Sequence, residues 1–358
     1  MFNTIIIGGG ASGLMCASRL KGKTLIIEKE LEIGRKILIS GGGKCNFSNE
    51  NVGVLHYYTS TPEYLDFILS NYSVNDAKNL CNKYKVKFEK REGGKLFAFS
   101  SKDILNILQS ECEKARVQFA LGVNVKDIKV EDGLFIIYTD KQTFKSKNLI
   151  IATGGKSYPH IGASDFALSF AKSLKFKLVQ NQPALVGLKY PSSMKTFTSL
   201  SGISLPVRIK IKDKIFKENL LFAHIGITGP AVLNASLYTD VGNTLEIDFI
   251  PNRDLKKLPK RVYTFFQNYF NTTQKDQLLK YLSEFKFDYS GSFGYQKAEV
   301  MRGGIWLGYL NKYLESSKYP NLYFIGECLD ITGELGGYNL HFAFASAITA
   351  SLSINKKA

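Results

Sequence analysis

The sequence predicts an α/β fold in which one parallel-sheet domain is assembled from both ends of the chain and interrupted by strand-rich and helical insertions. Three observations predict it. A strand, a glycine turn, a helix and a second strand follow one another in residues 2–29. After residue 190 the chain changes to strand-like segments rich in Gly, Pro and Lys, and the α/β pattern returns from residue 297. With 358 residues, of which 44% are hydrophobic, the chain can bury a large core.

The first elements form a βαβ unit. Residues 4–7 are a short β-branched run, residues 11–20 have a helical pattern, and residues 23–29 form a second apolar strand. The later elements predicted before the insertion are a Gly-rich loop at 40–46, helices near 63–84 and 103–115, and strands within 117–151.

The insertion begins where the composition changes, near residues 183–191. Residues 253–287 are predicted to be helical, because apolar residues recur there near helical spacing. A buried strand at 322–325 and a closing helix at 339–354 complete the first domain. The predicted domains are 1–190 with 297–358 for the parallel-sheet domain, 191–252 with 286–296 for a β-rich insert, and 253–285 for a small helical insert.

The glycine turn matches a dinucleotide-binding pattern. Gly8, Gly10 and Gly13 follow the spacing G-x-G-x-x-G between a strand and a helix, and Glu28 ends the next strand twenty residues after Gly8. The three glycines would allow the tight turn, the approach of a pyrophosphate and close helix packing, while Glu28 would bind ribose hydroxyls. A purely structural glycine turn is the alternative. The motif does not distinguish FAD from NAD.

The C-terminal segment favours FAD. A buried strand ends in Gly326, Glu327 and Asp330, and glycines at 336–337 open a helix of small residues. An acid there could bind ribityl hydroxyls, and the helix N-terminus could face the flavin pyrimidine, where negative charge collects on reduction. An ordinary final core strand and helix would explain the same pattern without a ligand.

Charge and cysteine usage limit the class of protein. The net charge of +16 is typical of proteins that bind a polyanion, but only eight of the 47 basic residues are Arg, and genome composition alone can produce such a bias. The five cysteines include no Cys-x-x-Cys pair and the four histidines show no paired spacing, so no metal site is predicted. With no apolar run of about 20 residues and no signal peptide, the expected location is the cytoplasm.

Several motifs resemble one bacterial flavoprotein family. The segments 34–49 (GRKILISGGGKCNFSN), 152–159 (ATGGKSYP), 222–230 (FAHIGITGP), 326–330 (GECLD) and 336–340 (GGYNL) look like those of the group that includes ribosomal RNA dihydrouridine synthase, bile-acid-pathway flavoproteins and aminoacetone-oxidase-like enzymes. The resemblance implies FAD bound by a two-segment Rossmann-like domain that carries an inserted β-barrel-like domain and a small helical domain.

The motifs and the resemblance together predict one FAD-binding set. Its members are Gly8, Gly10, Ala11, Ser12, Gly13, Glu28, Lys29, Arg35, Lys36, Ser40, Gly42, Gly43, Asn46, Val125, Thr153, Gly154, Gly155, Gly326, Glu327, Asp330, Gly336, Gly337, Tyr338, Asn339 and Leu340. The sequence contains no second G-x-G-x-x-G unit. NADH or NADPH, if it is the electron donor, would therefore bind transiently over the flavin.

Three residues are candidates for catalysis. Cys45, in the Gly-rich loop, could protonate one carbon while flavin delivers hydride to its neighbour, as reduction of the uracil 5,6 double bond requires. A buried thiol packed behind the loop is the alternative. His224 could face a substrate cavity or be structural, and His341 could approach the flavin pyrimidine or serve packing.

Three functions remain open at this level. The leading hypothesis is an NAD(P)H-driven FAD reductase of uridine in ribosomal RNA, with the basic inserts as phosphate contacts. The second is a flavin oxidase or reductase of a small metabolite, and the third is a non-catalytic RNA-associated protein that holds FAD. Basic residues cluster on the inserts at Lys195, Arg208, Lys210, Lys212, Lys214, Lys217, Arg253, Lys256, Lys257, Lys260 and Arg261. They could equally be ordinary solvent-facing positions.

Overall fold

The computed structural model describes residues 1–357. The chain divides into two compact units, the first made of Met1–Gln182 and the segment that begins at Val300, the second of Pro183–Glu299. No helix within the described residues is both long and apolar enough to cross a membrane.

The strands in chain order are β1 Phe2–Ile7, β2 Thr24–Glu28, β3 Asn46–Asn49, β4 Tyr57–Thr59, β5 Phe88–Lys90, β6 Lys95–Ala98, β7 Gln118–Leu121, β8 Val125–Glu131, β9 Leu134–Thr139, β10 Thr143–Ile151, β11 Leu178–Ala184, β12 Leu188–Lys189, β13 Ser204–Ile211, β14 Lys214–Phe222, β15 Gly226–Thr228, β16 Thr244–Asp248, β17 Phe285–Asp288, β18 Val300–Ile305, β19 Leu322–Phe324 and β20 Ile331–Gly333. The α-helices are α1 Ala11–Ala17, α2 Arg35–Ile39, α3 Leu65–Ser70, α4 Val74–Lys83, α5 Ser101–Lys114, α6 Phe166–Ser173, α7 Pro230–Leu237, α8 Lys260–Phe270, α9 Lys275–Ser283 and α10 Tyr338–Lys357.

A mixed sheet forms the centre of the first unit. Its order is β7-β2-β1-β10-β9-β8, and β19 pairs with the C-terminal half of β10. The pairs among β7, β2, β1, β10 and β19 are parallel, whereas β9 and β8 continue the sheet antiparallel. Ile5, Ile6, Ile26 and Ile150 are fully buried, as expected for parallel strands covered on both faces. The carboxyl ends of β1, β2, β10 and β19 therefore meet at one edge.

The two chain ends also meet through their helices. α10, the last element, packs against α1 as well as against β3 and α3. Small side chains such as Ala345, Ser346 and Ala347 are buried on it, which allows close approach to its neighbours. The helix begins one residue before and ends three residues after the predicted span of 339–354, and α1 ends at Ala17, earlier than predicted.

The second unit is built on an antiparallel sheet of order β12-β15-β14-β13-β16-β17. Alternation along β13 buries Val207, Ile209 and Ile211 and exposes Lys210. Phe249, Phe266 and Phe285 contact one another at ring-centroid distances of 5.1–5.7 Å, so residues from the sheet and from α8 share a core.

The prediction that residues 253–287 are helical is confirmed for α8 and α9 and is wrong for residues 285–287. Asn271 adopts a left-handed conformation (φ 49°) that ends α8, so the region splits into α8 and α9. Residues 285–288 form strand β17, where Phe285 and Phe287 are buried and Lys286 and Asp288 are exposed. Apolar spacing is ambiguous for such short runs, which is why the strand was not recognised.

A buried carboxylate on α5 joins α4 and the segment that follows α1. Glu111 is 5% exposed and lies 3.1 Å from Arg19 Nη1 and 2.7 Å from Lys83 Nζ. Burial alone would raise its pKa, but hydrogen bonds from Lys83 and Tyr84 and the charge of Arg19 outweigh burial and lower the pKa to about 2. The ionised carboxylate therefore stabilises the first unit.

We expect Glu111→Gln to lower the free energy of unfolding at pH 7 by about 1–3 kcal/mol, because the neutral amide weakens the charge-assisted hydrogen bonds that the buried carboxylate accepts from Lys83 and Tyr84. The folded-state pKa is depressed, so the stabilisation is present above the unfolded pKa of about 4.3 and is lost as the pH falls toward 2. Urea unfolding at pH 7 and pH 3 measures this, with Asp66→Asn on the exposed side of α3 as the control. Equal stability of Glu111→Gln and the wild type at pH 7 would contradict the account.

Candidate active site

The N-terminal glycine turn is closed on the protein side and open on the other. A Cβ added to Gly8, which has φ +110°, would lie 2.5 Å from the Ala152 carbonyl oxygen. A Cβ on Gly13 would overlap the Gly8 carbonyl oxygen, so α1 packs on β1 too closely for any side chain. A Cβ on Gly10, by contrast, would meet no described atom within 4 Å. Gly10 and Ala11 are half-buried, so the open side of the turn is a recess that a ligand can enter.

The carboxylate at the end of β2 is attached to this turn. Glu28 Oε2 accepts a hydrogen bond from the Gly9 N–H (2.8 Å), and Oε1 accepts one from the Glu30 N–H (3.0 Å). Each carboxylate oxygen has a second lone pair, so Glu28 can still accept from ligand hydroxyls. Val123 donates its N–H to the Glu28 carbonyl oxygen (3.0 Å), and Val125, two residues further along the chain, begins β8.

The loop after β2 carries the predicted basic residues. Arg35, the first residue of α2, pairs with Glu30 through Nη1 and Oε2 at 2.6 Å. Lys29 is exposed. Gly42 and Gly43 are also exposed, and a Cβ on either would meet no described atom within 4 Å, so the backbone of this loop is open to a ligand.

Glu327 joins three segments of the first unit. Its Oε2 lies 2.7 Å from Lys36 Nζ, and its Oε1 accepts hydrogen bonds from the Ser157 hydroxyl (2.9 Å) and the Met301 N–H (3.0 Å). A Cβ on Gly155 would lie 3.1 Å from Oε1. The structure thus brings Lys36, Gly155 and Glu327 together, and in this arrangement Glu327 orients the loops rather than presenting both oxygens to a ligand.

The C-terminal glycine turn lies against the Gly-rich loop. A Cβ on Gly337 would overlap the Ser48 carbonyl oxygen, and Asn46, with its amide oxygen turned toward the Gly337 N–H, accepts a hydrogen bond of 3.0 Å. Asn49 Nδ2 donates to the Gly336 carbonyl oxygen (2.9 Å). Segments separated by almost the whole chain therefore form one wall.

The first turn of α10 follows this glycine turn. It contains Tyr338, Asn339 and Leu340, and helix N-termini concentrate N–H groups and positive dipole charge. Asn339 is fixed by two hydrogen bonds of 2.8 Å to the N–H and carbonyl oxygen of Gly333. An electron-rich ligand group is favoured at this end.

Two buried polar atoms at the sheet edge have no hydrogen-bond partner among residues 1–357: Asp330 Oδ1 and Thr153 Oγ1. Asp330 uses its other oxygen to accept from the Ser60 N–H (3.0 Å) and from the Ser60 hydroxyl. Burial raises the pKa of Asp330. Both unpartnered atoms belong to the predicted FAD-binding set, and a buried group without a partner is costly unless a ligand supplies one.

Gly154, Gly326 and Ser40 are further members of the predicted FAD-binding set. Gly154 follows Thr153 with φ +71°, and a Cβ on Gly326 would lie 2.6 Å from the Ser12 hydroxyl oxygen. Ser40 accepts a hydrogen bond from the Cys45 N–H (3.0 Å) at its carbonyl oxygen, which closes the Gly-rich loop.

Comparison with known proteins decides the family. The family described as HI0933-like protein Rossmann domain matches residues 2–353. The chain belongs to this family. A ribosomal RNA dihydrouridine synthase of Haemophilus influenzae is 34% identical over 99% of the chain and 98% of its own length. A ribosomal RNA dihydrouridine synthase of Escherichia coli is 33% identical over 97% and 96%. A 3-dehydro-bile acid delta(4,6)-reductase of Clostridium scindens is 26% identical over 96% and 97%.

Solved structures share the fold at low identity. Quinol fumarate reductase of E. coli superposes with a TM-score of 0.56 over 99% of this chain and 70% of that one, at 14% identity. A flavocytochrome c3 fumarate reductase gives a TM-score of 0.53 over 99% and 78%, at 13% identity. These findings confirm the predicted α/β, Rossmann-like fold and the resemblance to a flavoprotein family. The HI0933-like chain is thus of the FAD-binding oxidoreductase type.

The residues of the first unit fit FAD. The recess at Gly10 suits a pyrophosphate, and Glu28 suits a ribose. The unpartnered Asp330 Oδ1 can accept a hydrogen bond from a ribityl hydroxyl, and the Thr153 hydroxyl can donate one to a phosphate oxygen. The N-terminus of α10 suits the flavin pyrimidine. No cluster of three or more potential metal-ligating His, Cys, Asp or Glu side chains occurs within the described part of the chain.

Cys45 lies in the core of the first unit. Its side chain is fully buried, and it adopts φ 53° where the Gly-rich loop turns into β3. Burial raises the pKa of the thiol to about 12, offset only in part by a hydrogen bond from Ser40. This geometry favours the packing alternative, and the catalytic role stays a prediction.

His341 is also enclosed by protein. Nδ1 lies 2.8 Å from the Ser48 hydroxyl and Nε2 lies 3.0 Å from the Tyr72 carbonyl oxygen, and none of the side chain is exposed. Burial lowers its pKa to about 4, so the imidazole is neutral at pH 7. With both ring nitrogens partnered, His341 is placed to hold β3 against α10.

We expect this histidine to make stability depend on pH. The folded-state pKa of about 4 lies below the unfolded value of about 6.5, so the unfolded chain takes up the proton first. Stability is then full above about pH 6.5 and falls on acidification to pH 4, by at most about 1.4 kcal/mol per pH unit. Urea unfolding between pH 7 and pH 4 should show a smaller decline in His341→Gln, whose amide can keep both hydrogen bonds. An unchanged slope would contradict the assignment.

His224 lies in the second unit, exposed at the turn between β14 and β15, where its carbonyl oxygen accepts a hydrogen bond from Thr198 (3.2 Å). Its catalytic role also stays a prediction.

The sequence did not predict the roles of Ser48, Ser60 and Ser157, which hold the predicted residues in place, or the pair His56–Glu334. Ser48 and Ser157 lie within the motifs 34–49 and 152–159, but a serine in a motif does not reveal its partner, and the two members of the His–Glu pair are far apart in the chain.

Proposed function

We propose that the protein is an FAD-dependent reductase that uses NADH or NADPH as electron donor and reduces uridine in ribosomal RNA. The observation that carries the proposal is full-length similarity to ribosomal RNA dihydrouridine synthases of two bacteria, at 34% and 33% identity. When bound, FAD supplies hydride chemistry at flavin N5. The chain's own part is to hold the pyrophosphate at the glycine turn, orient the flavin at α10 and supply a proton to the substrate.

Exposed basic residues support an RNA substrate. Lys210, Lys212 and Lys217 on the second unit are exposed, as are Lys256 and Lys257 before α8. Such side chains neutralise phosphates and release counterions, so binding through them weakens as salt rises. These lysines belong to the second unit, whereas the predicted FAD-binding residues belong to the first.

The second candidate is reduction of a small molecule that contains a conjugated carbon–carbon double bond. It is favoured by the similarity to the bile-acid reductase, at 26% identity over 96% of the chain. In this case the basic residues would have no part in substrate binding.

An anaerobic half-reaction experiment distinguishes these functions. The FAD-loaded protein is mixed with NADH or NADPH until the flavin absorbance near 450 nm bleaches, and ribosomal RNA is then added. We expect RNA to reoxidise the flavin in a salt-sensitive reaction, and uridine-free poly(A) to have no effect. A cell lacking the gene should lack one dihydrouridine in its ribosomal RNA. Reoxidation by an enone or by oxygen but not by RNA would support the second candidate, and a flavin that nicotinamides cannot reduce would indicate a non-catalytic protein.

A further inference from the structure

His56 and Glu334 form a paired acid and base in the first unit. His56 Nδ1 lies 2.8 Å from Glu334 Oε2, and the Glu334 N–H donates to the His56 carbonyl oxygen at 2.9 Å. Two contacts thus fix the side chains and the backbones relative to each other. The histidine side chain is 34% exposed and the glutamate 10% exposed, so the pair has one sheltered member and one that solvent or a ligand can reach.

The pair lies against the wall of the predicted flavin site. His56 directly precedes β4, which pairs antiparallel with β20, and Glu334 directly follows β20. β20 itself begins immediately after Asp330. The imidazole stacks on the ring of Tyr338, the first residue of α10, with centroids 4.6 Å apart and planes 14° from parallel. His56 is therefore in contact with the helix end predicted to face the flavin.

The geometry selects one arrangement of protons. Glu334 can only accept, so Nδ1 carries the hydrogen that faces it, and Nε2 is left to hold or release a second proton. Nε2 has no hydrogen-bond partner among the residues that the structure describes. A carboxylate behind a histidine fixes the ring orientation and stabilises the charged imidazolium, the combination that a proton-transferring histidine requires.

We propose that His56 is the residue that gives the substrate its proton from Nε2, and that Glu334 positions it. The proposal rests on the proposed function. In that reaction the substrate double bond accepts a hydride, with its two electrons, at one carbon. The adjacent carbon then takes the Nε2 proton, which leaves His56 neutral. Water restores the proton, because the side chain is partly exposed.

Two of the residues first considered for catalysis, Cys45 and His341, are less suited to this role. The Cys45 thiol is fully buried, and both ring nitrogens of His341 are engaged by Ser48 and Tyr72. Neither can reach a substrate without rearrangement of its surroundings. Of these three side chains, His56 alone combines exposure, a carboxylate partner and a ring nitrogen without a partner in residues 1–357.

The first test separates the two half-reactions. We expect His56→Ala to keep FAD and to be bleached by the nicotinamide at the wild-type rate, while RNA-dependent reoxidation slows by about 100-fold or more. Added imidazole should restore part of the rate in His56→Ala but not in Glu334→Gln, which retains the histidine and should slow by about 10-fold. His160→Asn, at an exposed histidine, serves as the control. His56→Gln replaces the alanine variant if that variant fails to fold.

The outcomes distinguish a failure of the proposed role of His56 from a failure of the proposed RNA substrate. An active wild type and an equally active His56→Ala would overturn the role of His56. A wild type inactive on RNA would overturn the proposed substrate, and His56 is then judged by NMR of the protein labelled with ¹⁵N-histidine. FAD should shift the His56 ring signals, and Glu334→Gln should change the balance between Nδ1–H and Nε2–H. His56 ring signals that change neither on addition of FAD nor in Glu334→Gln would overturn the inference.

Discussion

Gly10→Val is expected to produce a folded protein that retains no FAD. Gly10 has φ −85° and ψ −169°, which any residue adopts, and a Cβ there meets no described atom within 4 Å. The valine should therefore change the stability of the folded protein little. It would instead fill the recess that a pyrophosphate needs in order to reach the N–H groups at the start of α1. Because charge-assisted hydrogen bonds contribute about 1.5–3 kcal/mol each, loss of two should weaken FAD binding about 100-fold or more.

Fluorescence titration of FAD into the apoprotein measures the affinity, and thermal unfolding of the same apoprotein checks the fold. Gly53→Val is the matched control, because Gly53 has an extended backbone and a Cβ there lies 3.9 Å from its nearest neighbour, the Asn51 carbonyl oxygen. It should bind FAD like the wild type. If Gly10→Val also bound FAD normally, the glycine turn would not be the pyrophosphate site.

Asp330→Ala is expected to weaken FAD binding by about 10- to 100-fold while changing the stability of the apoprotein little, because removal of the buried, unpartnered Oδ1 offsets loss of the two hydrogen bonds that Oδ2 accepts from Ser60. Oδ1 of Asp330 is buried without a partner in the described chain, and burial raises the pKa of the carboxyl, so its presence is unfavourable until a ligand hydroxyl donates to it. A hydrogen bond to a charged group is worth about 1.5–3 kcal/mol, which gives the expected range.

Calorimetric titration of FAD, together with unfolding of the apoprotein, checks both halves of this expectation. Ser60→Ala is the control, because the Ser60 hydroxyl contacts the other carboxylate oxygen and should change the affinity only a few-fold. Loss of apoprotein stability in Asp330→Ala with unchanged FAD affinity would make Asp330 a structural residue and contradict its assignment to the cofactor site.

Local patterns were sufficient to predict the frame of the site. The spacing of Gly8, Gly10 and Gly13 reflects contacts between adjacent elements of the chain, and the structure places α1 on β1 as that spacing requires. The apolar strand predicted at 322–325 is likewise present, as β19. Such features depend on the chemistry of a few neighbouring residues and can be predicted directly from the sequence.

Contacts between residues from distant parts of the chain could not be predicted from such local patterns. Lys36 and Glu327 were both predicted to bind FAD, yet they pair with each other at 2.7 Å, across nearly three hundred residues. The burial of Cys45 and His341 likewise depends on how β3, α4 and α10 pack. His56 gave no signal in the sequence, because its partner Glu334 is close only after β4 pairs with β20.

Hydrogen exchange measured by mass spectrometry tests most directly whether both chain ends enclose one FAD molecule. Addition of FAD to the apoprotein should slow amide exchange in two separate peptides, one covering residues 8–14 and one covering residues 330–341. The exposed strand β8 in residues 127–131 should exchange as before. Protection of one peptide without the other, or of neither at saturating FAD, would contradict the account.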